Sequence, residues 1–400
     1  MSTTTRRRTA MTAMTATALM TLLTVGAAGC ASDGKASEEP SAAQPSQAKA
    51  RPHDGLVDIL VAGRPVTGSE PSGNAKSPYR RTYTDGELYV AVTGYRSMAF
   101  GSNGLERIYG DVRGTVETTV EPTLQRAAAE GLRGRKGAAA ALDAETGRIR
   151  ALMSTPSYDP SSFTGAASAD AAAWKELSRS KDLPLLNRAL RQPVPAGRAF
   201  HVVVAAAALE KGLYATVDTP TRGPGGTGHC AKASIRQALR YGCDEVFADM
   251  GTEVGQEAMR LTAEAFGFGE KDLLVPLQVE TGTYDQGGDT KATPLQMARV
   301  MAVIANGGKQ IGPRLVDKVV HADGSVQKPL AYAPAGRQVV KQETATQLRS
   351  ALSDRTGGDG WSLALTRAPD GRPLALAVHA EGAGDTASAV VSGMAKAASG

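Results

Sequence analysis

The sequence is poor in residues that bind metals, with three cysteines and five histidines among 400 residues. His229 beside Cys230, and His379 near Glu381, lack the further ligands at helical or C-x-x-C spacing that a zinc site needs. The glycine-rich stretch 222–228, RGPGGTG, precedes no Lys-Ser or Lys-Thr pair and joins no strand to a helix. It therefore predicts an insertion loop rather than a phosphate site. We expect no metal and no cofactor.

The chain also lacks a concentrated basic surface. Its formal net charge is +5, but the cations are scattered, and Arg6–Arg8 lie at the extreme N-terminus. A nucleic-acid-binding face needs clustered positive charge. We expect no nucleic-acid partner.

The N-terminus has the pattern of a targeting segment. An arginine cluster precedes a long apolar run that ends in AAGC at Cys30, so residues 1–30 predict a signal peptide with a lipobox-like end. Cys30 would then carry lipid and anchor the protein to the membrane, whereas an uncleaved transmembrane anchor is the alternative. Either interpretation places the body outside the cytoplasm. Residues 31–54 are rich in Ser, Ala, Pro and charge and predict a disordered linker.

The remaining chain is long enough for two domains, since 42% of the residues are hydrophobic. Residues 55–125 contain short β-like runs (DILVAG, RRTYTDGELYVAVTGY, GLERIYGDVRGTVETTV) and predict a small β-rich module. In 126–400, KGAAAALDAETGRIRALMS predicts a strand pair, and helical segments dominate 171–267. PRLVDKVVHADGSVQ and PLALAVHAE add strands near the end. Helices grouped between strand pairs favour an α+β fold.

Several ordered segments resemble the class B penicillin-binding proteins, the D,D-transpeptidases of peptidoglycan synthesis, and most closely their actinobacterial cell-division type. They are YRRTYTDGELYVAVTGY, GSNGLERIYGDVRG, GAAAALDAETGRIRALMSTPSYDP, LNRALRQPVPAGRAFHVVVAAAALEKG, ASIRQALRYGCDEVFADMG, AFGFG and ATPLQMARVMAVIANGG. The resemblance implies a transpeptidase fold like that of serine β-lactamases, with an antiparallel sheet flanked by helices, over 126–400. It also implies that 55–125 is the family's N-terminal module.

The resemblance also points to three catalytic motifs, of which two are degenerate. In S-x-x-K a serine opens a helix and a lysine one turn later takes its proton; this chain has Arg198 and His201 at those positions. In S-x-N two side chains reach the same cleft; this chain has Gly242 and Asp244. The expected catalytic set is therefore empty.

The third motif, K-T-G on an edge strand, leaves two interpretations. Arg355, Thr356 and Gly357 could be its surviving form, with arginine in place of lysine. Alternatively, this segment corresponds to a Gly-Thr-Gly that the family carries further upstream, and the K-T-G strand is deleted. The shortness of the stretch 344–361 favours deletion.

Two contacts are predicted by placing the chain on the family's cleft. Arg198 and Asp244 would face each other, and Gly242 would make room for the long side chain, so we expect a partly buried ion pair. Removing one partner of such a pair costs about 3–5 kcal/mol. The alternative is that both side chains point to solvent. Cys230 and Cys243 flank a segment that leads into this cleft in the family, and we expect them to form a disulfide.

These observations favour a catalytically inactive lipoprotein on the outer face of the cell membrane. It would bind a peptidoglycan stem peptide, or a protein of cell-wall synthesis or division, without turning it over. Two alternatives stay open: a divergent active D,D-transpeptidase or carboxypeptidase, and a purely structural envelope protein.

Overall fold

The fold is given by a computed structural model that describes residues 55–399, except 223–226, 272, 274, 329–335, 353–355 and 383–384. The predicted signal peptide, Cys30 and the linker therefore lie outside the described residues, as does Arg355.

The strands of the described residues are, in chain order, β1 (Asp58–Val61), β2 (Arg64–Pro65), β3 (Thr67–Asn74), β4 (Ser77–Tyr83), β5 (Arg96–Ser97), β6 (Gly101–Ser102), β7 (Gly114–Thr118), β8 (Gly137–Asp143), β9 (Ile149–Thr155), β10 (Val194–Pro195), β11 (Gly282–Thr283), β12 (Lys291–Ala292), β13 (Lys309–Gln310), β14 (Val316–His321), β15 (Val326–Gln327), β16 (Arg337–Gln338), β17 (Thr356–Gly358), β18 (Trp361–Arg367) and β19 (Pro373–Ala380).

The α-helices of the same residues are α1 (Gly86–Thr93), α2 (Gly104–Ile108), α3 (Pro122–Gly131), α4 (Ser168–Arg179), α5 (Arg188–Arg191), α6 (His201–Glu210), α7 (Ile235–Tyr241), α8 (Asp244–Val254), α9 (Gln256–Ala265), α10 (Pro294–Ala305), α11 (Gln342–Ala351) and α12 (Thr386–Ala398). Short 3₁₀ turns cover Pro160–Phe163, Gly197–Phe200 and Gly228–Cys230. These helices are too short or too polar to traverse a bilayer.

A five-stranded antiparallel sheet, in the order β17-β18-β19-β8-β9, forms the centre of the body. Every residue of β8 is buried, and alternate residues belong to opposite cores: Ala140 and Leu142 lie in the core that contains α10, whereas Ala139 and Ala141 lie in the core that contains α3 and α12. Small alanine side chains let helices approach both faces closely. The predicted α+β fold and the predicted strand pair are confirmed.

The sheet of the N-terminal module contains strands from distant parts of the sequence. Its order is β15-β14-β7-β1-β2, so two strands from 316–327 complete a sheet begun by residues 58–118. β14 pairs antiparallel with β7, and β1 pairs parallel with β7. The predicted module at 55–125 is therefore joined to the body through shared backbone hydrogen bonds.

The β-rich character of this module is confirmed, but two of its predicted β-like runs contain helices. ELYVAVT forms most of α1 and GLERI forms α2. The β-branched and aromatic residues of α1 favour a strand by propensity, but Tyr89 and Val92 are buried in the main core and Val90 in a neighbouring aromatic cluster. Tertiary packing therefore overrides the local preference.

Candidate active site

Arg198 and His201 lie where a helix begins beneath the edge of the central sheet. The chain turns at Gly197, with φ +46°, into the 3₁₀ turn Gly197–Phe200, which continues into α6. Most of α6 is buried and apolar, so the helix is fixed in the core while Arg198 stays at the surface. The scaffold thus presents the first helical turn at the surface, beside β17.

Arg198 forms a two-armed ion pair with Asp244. Its Nε lies 2.9 Å from Asp244 Oδ1, and its Nη2 lies 2.8 Å from Oδ2. Hydrogen bonding to Arg198 lowers the pKa of Asp244, and the reciprocal bond raises the pKa of Arg198. The predicted ion pair is therefore present.

The pair is more exposed than the sequence predicts. The Arg198 side chain is 38% exposed and that of Asp244 is 56% exposed. At such exposure water screens the charges, and an ion pair contributes only about 0.5–1 kcal/mol. The expected cost of 3–5 kcal/mol for removing one partner is therefore wrong, because neither charge would be left buried.

Two glycines make room for the Arg198 side chain. A Cβ added at Gly242 would lie 3.1 Å from Arg198 Nη1, and one at Gly358 would lie 2.7 Å from Arg198 Cδ. Gly242 also has φ +66°, a left-handed conformation that favours glycine. The predicted role of Gly242 is therefore confirmed, whereas Gly358 was missed.

The edge strand β17 contains Thr356 and Gly357 and lies beside Arg198. Gly357 pairs with Ser362 of β18. Deletion of the family's K-T-G strand stays a prediction, but this segment does form a short edge strand, which only Asp359 and Gly360 connect to β18. Both turn residues have positive φ, 55° and 83°, as a tight two-residue hairpin requires. Such a hairpin joins two strands with few residues.

Asp359 is a second carboxylate at the site and was not predicted from the sequence. Its Oδ2 lies 3.4 Å from the backbone N of Arg198, which donates to it. A Cβ at Gly197 would lie 2.6 Å from the same oxygen, so glycine is needed there. The Asp-Gly pair after Thr356–Gly358 is the sequence signal for the turn that carries it.

His201 lies beneath the ion pair and is nearly buried, with 13% of its side chain exposed. Its ring stacks on Phe247 with the centroids 4.1 Å apart. Burial lowers the pKa of His201 from 6.5 to about 4, so the ring is neutral at pH 7. The 3.7 Å contact between His201 Nε2 and Asp244 Oδ1 is therefore not an ion pair at that pH.

A disulfide joins Cys230 to Cys243 across 13 positions of the sequence, as the sequence analysis expects. It links the 3₁₀ turn Gly228–Cys230 to the residue just before α8, and α8 begins at Asp244. The disulfide therefore restrains the backbone next to one partner of the ion pair.

The other histidines of the sequence analysis make ring contacts. His229 lies beside Tyr241 and His379 beside Trp361, with ring centroids 4.7 and 5.0 Å apart. In the part of the chain that the structure describes, no group of three or more His, Cys, Asp or Glu side chains could hold a metal ion.

Comparison with known proteins places this architecture in a family. Residues 137–373 match the penicillin binding protein transpeptidase domain, and residues 58–133 match the penicillin binding protein A dimerisation domain. The chain is 29% identical to the peptidoglycan D,D-transpeptidase PbpA of Mycolicibacterium smegmatis, over 82% of this chain and 84% of that protein. It is 30% identical to PbpA of Mycobacterium tuberculosis, over 72% and 70%.

Solved structures agree with these matches. The crystal structure of PBPA from M. tuberculosis superposes with a TM-score of 0.74 and 26% identity, covering 86% of this chain and 98% of that one. A penicillin G acyl-enzyme complex of the same protein gives 0.73 and 25% over the same shares. The D,D-transpeptidase domain from Eggerthella lenta gives 0.71 and 26%, covering 87% and 98%. The chain therefore belongs to the penicillin-binding protein transpeptidase family.

Proposed function

We propose that this protein is a non-catalytic member of its family that binds a cell-wall ligand or a cell-wall synthesis or division protein. The observation that carries this proposal is the position of Arg198. An arginine stands where the family's nucleophilic serine is expected, and its side chain lies against Gly242 and Gly358 and bonds to Asp244.

The surrounding groups support the same conclusion. A nucleophilic serine needs a base that takes its proton and an N–H group that stabilises negative charge. His201 is neutral at pH 7, but it has no serine or cysteine to activate at position 198. The backbone N–H of Arg198 already donates to Asp359. For a divergent active transpeptidase or carboxypeptidase, the Arg198 side chain would have to leave Asp244 and its backbone N–H would have to leave Asp359.

The experiment that tests the proposal is a turnover assay. The full chain, purified in detergent, is incubated with a synthetic peptidoglycan stem peptide, and the peptide is analysed by mass spectrometry. We expect the peptide to remain unchanged. Cleaved or cross-linked peptide above the level of a boiled control would favour the active-enzyme alternative.

We further propose that the protein acts on the outer face of the cell membrane, anchored by lipid at Cys30. The disulfide between Cys230 and Cys243 supports an oxidising compartment. The linker after Cys30 has no apolar segment that could hold the protein at the membrane. A Cys30→Ser variant should therefore be released or stay as an uncleaved precursor; unchanged size and membrane retention would favour a transmembrane anchor.

A further inference from the structure

A cavity of about 500 Å³ lies between the N-terminal module and the body, away from the former catalytic cleft. Its walls come from α1, from Asn103–Ile108, and from the body segments 154–158 and 184–191. This volume lies in the range of ligand sites, about 300–1,000 Å³.

The lining mixes large apolar side chains with polar ones, and its charge is of one sign. The large apolar side chains are Val90, Ile108, Leu185, Leu186, Leu190 and Leu277. Arg107 and Arg191 are its charged residues, and no Asp or Glu lines it. Both arginines are exposed, and neither guanidinium has an acidic partner among the described residues. An occupant with apolar side chains and negative charge would complement these walls.

Exposed apolar side chains extend the surface at the cavity. Ile108, which lines it, is 49% exposed, and Leu183, next to the lining residue Pro184, is 53% exposed. Leu183 also has φ +46°, which is rare for a leucine. Arg188 holds this conformation by donating to the carbonyl oxygens of Asp182 and Leu183. The structure thus maintains an apolar group in water beside the cavity.

Side-chain amides in the wall favour a peptide over an acyl chain. Asn103, Asn187 and Gln278 line the cavity. Asn187 donates to the carbonyl oxygen of Ala91, while its Oδ1 is buried without a hydrogen-bond partner among the described residues. A peptide brings N–H groups that could donate to the buried Asn187 Oδ1, whereas an acyl chain would leave that oxygen without a partner.

The chain's own linker does not fit this description. Residues 31–54 contain acidic residues but no Val, Leu, Ile, Met, Phe, Tyr or Trp, so they offer no side chain that fills an apolar cavity. We propose that the cavity docks an acidic peptide segment of another protein, with a large apolar side chain inserted between α1 and the body. This inference rests on the proposed function and names the chemistry of the partner.

The test is selection of random peptides displayed on phage against the full chain in detergent. We expect enriched peptides to combine Asp or Glu with large apolar residues. In Arg107→Glu/Arg191→Glu their affinity should fall about tenfold or more. The matched control, Arg126→Glu/Arg133→Glu, makes the same charge change on α3 and just after its end, outside this cavity, and should retain binding. Ala91→Trp, which fills the cavity without changing charge, should also abolish binding, and melting curves verify that each variant folds.

Four results would overturn the inference. The first is that no peptide is enriched, and the second is that enriched peptides bind equally well after the charge reversal. The third is that decanoate or anionic vesicles bind in a reversal-sensitive way while peptides do not bind. The fourth is that the protein associates with itself and the charge reversal abolishes this association. A turnover product in the stem-peptide assay would instead refute the non-catalytic proposal, so the two failures are distinguishable.

Discussion

Arg198 and Asp244 lie on different helical segments, 46 positions apart, and their side chains meet through Nε to Oδ1 at 2.9 Å and Nη2 to Oδ2 at 2.8 Å. Arginine places a positive charge at a helix start, where the helix dipole is already positive and cations are unfavourable. The Asp244 carboxylate offsets that charge. We therefore expect the residues at these two positions to compensate each other.

A double-mutant cycle with Arg198→Ala and Asp244→Ala measures this compensation. Because both side chains are substantially exposed, we expect a coupling free energy of about 0.5–1 kcal/mol that declines as salt is added. Urea unfolding of the wild type, both single variants and the double variant gives the value. Purely additive effects would mean that the pair contributes nothing, and a coupling of several kcal/mol would mean that it is effectively buried.

His201 should make the free energy of unfolding depend on pH. Unfolded His201 takes up a proton below about pH 6.5, whereas the folded protein does so only near pH 4. The unfolded state therefore binds more protons between these values, and stability falls as the pH drops through that window, by about 3 kcal/mol in total.

The matched variant for this effect is His201→Gln, which should flatten the curve between pH 6.5 and 4. His379, whose pKa is also lowered by burial, contributes in the same direction and remains in that variant. His379→Gln is therefore the control for a second buried histidine. Equal slopes in the wild type and His201→Gln would show that His201 is not desolvated.

The disulfide should stabilise the segment that leads to Asp244. Closing a loop of 13 positions restricts the unfolded chain, so Cys230→Ser/Cys243→Ser should lower the free energy of unfolding by about 2–3 kcal/mol. Thiol titration of the denatured, unreduced wild type should find neither cysteine free. Two reactive thiols from this pair would contradict the disulfide.

Restoring the first motif should not by itself restore chemistry. In Arg198→Ser/His201→Lys the Asp244 carboxylate loses its arginine and remains beside the new serine, where it would repel a developing oxyanion. We expect no acylation by a fluorescent β-lactam. A labelled band would show that the first motif alone limits activity. The comparison is the same double variant with Asp244→Asn added, which removes the negative charge beside the new serine.

The sequence predicted the site better than it predicted the surroundings. Arg198 and Asp244 could be paired because both replaced family residues that face one cleft. Their exposure depends on how the surrounding chain covers the pair, which residue types do not determine. The three residues of β17 carry no periodicity, so the sequence left the edge strand open between two interpretations, and its pairing with β18 defines it. The strand-like sequence of α1 misled for a related reason, since packing decides its conformation.

The central claim is that the site forms no acyl-enzyme, and intact-mass measurement of the wild-type full chain after incubation with penicillin tests it most directly. PBPA of M. tuberculosis, for which a penicillin G acyl-enzyme complex is known, serves as the positive control. We expect an unchanged mass for this protein and a mass increase of one bound penicillin for the control. A stable increment of one penicillin on this chain would contradict the account.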